Sequence, residues 1–155
     1  MFFILGLAIF LFGAFSAIGY LEGSMMFFVD PASLFIIILP LVGILTATQS
    51  FKVFAGGLKA AIFPDKPVSE DLRGKAASLF RFLSKTTALV MVIMTLIGLL
   101  LILYNIDFAD PNMVTMIGSN IAIMLVLPVY GIILIAGVFE PVVFILKKRY
   151  DKERK

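Results

Sequence analysis

Two long apolar runs constrain this chain more than any other feature. One is Ala88 to Tyr104 and the other is Ile121 to Leu146. Neither contains Lys, Arg or Asp. A bilayer core about 30 Å thick is crossed by about 20 helical residues, and each run is long enough for that. The segment between them, Asn105-Ile106-Asp107-Phe108-Ala109-Asp110-Pro111-Asn112, is acidic, turn-forming and too short to hold a domain. The two runs are therefore expected to form an antiparallel transmembrane hairpin. Composition agrees with this. Of 155 residues 61% are hydrophobic and the mean hydropathy is +1.10, whereas a soluble domain is nearer about 45–50% apolar. One small core cannot hide that excess, so the expected class is all-α: a single polytopic membrane domain spanning residues 1–155.

Several chemistries are excluded at once. With no cysteine there is no disulfide and no thiolate metal site. With no histidine the usual metal ligand and the usual proton relay near neutral pH are both missing. No catalytic constellation is present, and the chain is not expected to be an enzyme or to need a cofactor.

Upstream of the hairpin, Met1 to Tyr20 is a further apolar run. It lacks the basic n-region and the small-residue cleavage site of a signal peptide. Leu21 to Ala32 carries Glu22 and Asp30, and Asp30-Pro31 with Ser33 reads as a turn and a helix start. Ser33 to Phe51 begins as a solid apolar block, contains Pro40, and turns polar at Thr46, Thr48, Gln49 and Ser50. Pro40 removes a helix bond to Ile36 and should bend the helix. Helical spacing of Phe51, Phe54, Leu58 and Ile62 suggests that the helix continues beyond the bilayer, weakened at Gly56-Gly57. Pro64 and Pro67 mark a turn. Ser69 is an N-cap candidate, followed by Glu70 and Asp71 where the helix dipole favours acids. Leu72, Ala76, Leu79, Phe80 and Leu83 then form an apolar stripe, with Arg73, Lys75, Arg81 and Lys85 largely outside it. This amphipathic stretch should run into the Ala88 helix as a membrane-surface or bundle-extending segment.

The expected spans are about 2–20, 33–53, 86–104 and 118–146, with an inner segment at about 54–85 and a tail at 147–155. All 13 Lys and Arg lie in that inner segment, at its edge, or after the last span. The other two loops carry Glu22, Asp30, Asp107 and Asp110 and no basic residue. The positive-inside rule then places both basic segments and both termini in the cytoplasm. Topology and anionic headgroups account for the net charge of +3, so nucleic acid is not an expected partner.

Few polar residues enter the spans. Ala88, Met91, Thr95, Gly98 and Ile102 share one helix face. The Thr95 hydroxyl either bonds back to the Met91 carbonyl or lines an ion route. In the last run Pro128 removes a helix bond to Met124 and should kink the helix. Gly131 and Gly137 suit close helix packing. Glu140-Pro141 lies roughly 10 Å before the Lys147 cluster at helical rise. Glu140 either snorkels to the interface or marks where ions come in from the cytoplasm. No carboxylate, His or Lys is expected at mid-membrane, so an ion path would need a carboxylate from another polypeptide.

Some of these segments resemble a known family. Met94-Thr95-Leu96-Ile97-Gly98-Leu99 is similar to the "GTLIGL" run of the MotA/TolQ/ExbB proton-channel proteins. Asp110-Pro111, Ile117-Gly118-Ser119-Asn120-Ile121-Ala122, Tyr130-Gly131-Ile132-Ile133-Leu134 and Phe139-Glu140-Pro141 follow in the family's order. Gly19-Tyr20-Leu21-Glu22-Gly23 and Asp30-Pro31-Ala32-Ser33-Leu34 resemble the start of MotA, whose flagellar branch has four spans. The resemblance implies an ion-driven stator subunit of a bacterial inner membrane. Five copies would surround a MotB/ExbD-like single-span partner that carries protons or sodium ions on its aspartate, and Thr95 would line that site. The chain departs from the pattern at definite positions. Ala88 stands where the family has proline, Met91 and Met94 where it has glycines, and Pro128 where it has a second channel threonine. The inner loop is far shorter than a flagellar stator's. These departures keep a non-conducting scaffold of the same fold as a rival, beside an unrelated small four-helix transporter or assembly factor.

Overall fold

A computed structural model of the chain describes residues 2–20, 29–63 and 68–153. The Leu21–Phe28 loop with Glu22, the Pro64–Pro67 turn and the last two residues of the tail lie outside it. Every element among the described residues is helical: α1 Phe2–Tyr20, α2 Pro31–Ala47, α3 Phe51–Ile62, α4 Glu70–Tyr104, α5 Met113–Leu134, a π-helical turn at Ile135–Phe139, and α6 Glu140–Glu153.

The caps follow the sequence. Asp30 caps α2, accepting from the Ala32 and Ser33 amides with Pro31 in the first turn. Ser69 caps α4, its hydroxyl accepting from the Leu72 amide. From there α4 runs 35 residues without a break, about 50 Å at 1.5 Å per residue. That is longer than a bilayer core, so the amphipathic segment and the apolar run are one rod. Among the described residues two helices are long and apolar enough to cross a membrane, α4 and the continuous stretch Met113–Lys148, and the bent pair α2–α3 passes the same test only if taken as one span. The apolar stretch Phe3–Ser16 of α1 is shorter, and α2 has 17 residues.

The expected continuation of the second run is broken. After Ala47 the chain turns and α3 leaves at 114° to α2. Thr46 and Thr48 bond back to the Val42 and Ile44 carbonyls, and Gln49 takes a positive φ of 51°. A left-handed residue cannot continue a right-handed helix, so the apolar stripe of α3 folds over instead of extending outward.

That fold builds the one large buried cluster among the described residues. Leu45, Ala60, Ala76, Phe80, Leu83, Phe139, Val142 and Leu146 meet where α2, α3, α4 and α6 converge. Phe80 stacks on Phe54 at 5.1 Å and meets Phe139 edge-on at 5.9 Å. A Cβ on Gly57 would come within 2.8 Å of Ala76 and Phe80. The glycine that looked like a weakness in α3 is a point of close approach between α3 and α4. Arg73, expected outside the stripe, is only 6% exposed. Because α3 doubles back over the start of α4, that side is covered too.

Away from this cluster the bundle is open. Leu89, Val92, Ile93, Leu96 and Leu100 on α4 and Ile123, Leu125 and Ile132 on α5 are all exposed. An apolar surface of this extent belongs in lipid or against other chains.

Candidate functional site

The site is the seam between α4 and α5. Its geometry is set by small residues. A Cβ on Gly98 would lie 3.0 Å from Met124, and a Cβ on Gly131 would overlap the Met91 side chain. From Gly98 to Met91 and from Met124 to Gly131 are steps of seven residues, two turns on each antiparallel helix. Pro128 sits between these contacts on the same face of α5, and the helix stays α-helical through it. A departure from α-helical geometry follows further on, in the π-helical turn Ile135–Phe139.

That turn matters for Glu140. Another seven residues along the seam would bring Ser84 opposite Val138. Instead the Ser84 hydroxyl donates to the Glu140 carboxylate at 2.8 Å, between residues 56 apart in sequence. A π-helical turn inserts extra backbone into an α-helix and rotates everything beyond it. Here it carries Glu140 round to α4. Gly137, inside the turn, receives Leu7 and Phe10 of α1, each 3.2 Å from where its Cβ would be.

Along α4 the residues facing this seam include Ser84, Thr87, Met91, Thr95 and Gly98, at helical spacing. Ser84, Thr87 and Met91 are buried, while Ala88, Thr95 and Gly98 are partly buried. The Thr95 Oγ1 atom is itself buried and has no hydrogen-bond partner among the described residues. The back-bond to Met91 is therefore absent. Thr87, which the sequence did not single out, has the same condition: 2% exposed, with its hydroxyl unpartnered. Its signal was its position, one and two turns before Met91 and Thr95 on their own face.

Asp30 is not where a loop residue was expected. Its backbone amide donates to the Tyr130 hydroxyl at 3.1 Å. Tyr130 lies roughly 26 Å along α5 from Met113 at helical rise. Asp30 therefore packs opposite the middle of the α4–α5 hairpin, not opposite its closing turn. With Ser33, Met94, Gly98, Met124 and Leu127 it lines a groove of about 440 Å³ that reaches Asn105 and Asn120. Asp30 thus shares a groove with Met94 and Gly98, which flank Thr95 in sequence on α4. Both its oxygens are engaged in capping, accepting from Ala32, the Ser33 amide and the Ser33 hydroxyl.

A second cleft, about 1010 Å³, opens at the basic end between α3, the start of α4 and Lys147. It is lined by both signs of charge: Glu70, Asp71, Arg73, Lys75 and Lys147. Lys75 and Asp71 pair at 2.6 Å, both well exposed, so the pair adds little stability. No group of three or more acidic residues that would hold a metal ion occurs among the described residues.

No protein-family model matches the chain, and no curated protein matches it.

Proposed function

We propose that this chain is a MotA-like subunit of an ion-driven membrane motor or energy transducer, with protons or sodium ions as the coupled ion. In this reading four spans cross a bacterial inner membrane, both termini are cytoplasmic, and about five copies surround a single-span, MotB/ExbD-like partner. The observation that carries it is the Thr95 hydroxyl: buried on the seam face of α4 and without a partner among the described residues. A buried unpaired hydroxyl costs about 1–3 kcal/mol, so it is retained where something else bonds to it. Asp30, which shares a groove with Met94 and Gly98, is committed to capping α2. A partner's carboxylate would supply the group that takes up the ion, and Thr95 would offer it a hydroxyl.

Two measurements test this reading. Particles purified in mild detergent and imaged singly should show about five copies of the chain around a second polypeptide with one membrane helix; monomers or dimers alone would rule it out. A reporter fused after Lys155 should be active only on the cytoplasmic side, and activity on the other side would overturn the topology. The non-conducting scaffold has one observation in its favour. Met91 fills the seam between Ser84 and Thr95, where the resembling family has a glycine.

A further inference from the structure

We propose that Thr87 forms the floor of a water-filled vestibule that opens at the basic end beside Ser84 and Glu140 and is closed toward Thr95 by Met91. As the inner half of an ion route this rests on the function proposed above; as a hydrated site it rests on the buried, unpaired Thr87 hydroxyl and the neighbouring Ser84–Glu140 pair.

The first support is a contrast within the chain. A threonine or serine buried in a helix has a ready acceptor in the carbonyl one turn back. Thr46, Thr48 and Ser119 make this bond even at exposed positions, at 2.7, 2.8 and 2.9 Å. Thr87 does not, although it is 2% exposed. Buried polar groups left by the protein are satisfied by water, provided the site has more than one polar partner. Ser84 is one turn away on the same face. It is 7% exposed and already reaches across to Glu140. Together Ser84, Thr87 and Glu140 supply two hydroxyls and a carboxylate.

The second support is what lies beyond. Met91, one turn further on the same face, is seated where Gly131 has no side chain. A thioether is only a weak acceptor, and the seat is filled, so a chain of water stops there. The π-helical turn lies directly before Glu140, whose carboxylate faces Ser84.

The chain has no cysteine, so a single introduced thiol reports on water at one position. Ser84→Cys, Thr87→Cys and Thr95→Cys are each prepared in the full chain, in lipid vesicles opened to reagent on both sides. The probe is 2-aminoethyl methanethiosulfonate, read by mass. The thiolate is the reacting form and needs water to exist, so Ser84→Cys and Thr87→Cys should react about 100-fold faster than Ala76→Cys, which lies in the dry core of the same helix. Thr95→Cys should be as slow as Ala76→Cys, and adding Met91→Ala should speed it about tenfold or more. A Thr87→Cys as inert as Ala76→Cys overturns the vestibule. If Thr87→Cys does not assemble, an inert Ser84→Cys overturns it equally. A Thr95→Cys that is fast without Met91→Ala, or slow with it, overturns the closure. Labelling needs neither partner nor ion gradient, so its failure is separate from any failure of the motor reading.

Discussion

The Met91 side chain occupies the space that a Cβ on Gly131 would fill. The contact couples α4 to α5 midway along the seam, and it makes each residue a condition on the other. Gly131→Ala in the native background should destabilise the purified protein by roughly 1–3 kcal/mol, the usual range for overpacking. Met91→Ala should relieve it, so the double variant is more stable than Gly131→Ala alone. Thermal unfolding of the four proteins in one detergent checks this. A Gly131→Ala protein with an unchanged midpoint would show that the seam is looser than described.

Ser84 and Glu140 give a different expectation. Hydrogen bonds between membrane helices are worth about 0.6 kcal/mol on average, and Glu140 is exposed at its outer side. Ser84→Ala and Glu140→Gln should each shift the unfolding midpoint only slightly. A loss of fold in Glu140→Gln would mean that the carboxylate is a structural anchor and not a group free to exchange protons.

Asp30 separates capping from charge. Asparagine caps a helix about as well as aspartate, while alanine costs about 1 kcal/mol. Asp30→Asn should therefore leave stability and any partner-dependent ion flux unchanged, and Asp30→Ala should lower stability. Flux abolished by Asp30→Asn would place the ion-carrying carboxylate in this chain, opposite Tyr130.

Much of the fold is legible in the residues, and what is not has physical reasons. The Asp30-Pro31 and Ser69 caps are local chemistry, written within four residues of the bonds they make. The continuity of α4 follows from a helical apolar stripe running unbroken into an apolar run. The 114° break after Ala47 depends on Gln49 adopting a left-handed conformation. No residue type announces that when glycine is not used. The π-helical turn at Ile135–Phe139 has no signature either, yet it decides that Glu140 meets Ser84. The Asp30–Tyr130 bond joins residues 100 apart, so only tertiary packing reveals that contact. At the site, Thr95 and Glu140 stood out as polar groups in apolar runs. Thr87 did not, because at the edge of the amphipathic segment a threonine is unremarked until its burial is known.

The most direct measurement is ion flux into sealed vesicles, followed with proton- and sodium-sensitive dyes, for the chain alone and for the chain purified with the single-span partner proposed above. The chain alone should be ion-tight. Flux should appear with the partner, vanish when the carboxylate in the partner's membrane helix is neutralised, and fall in Thr95→Val, which keeps the shape of the side chain and removes its hydroxyl. Robust flux through the chain without any partner would contradict the account.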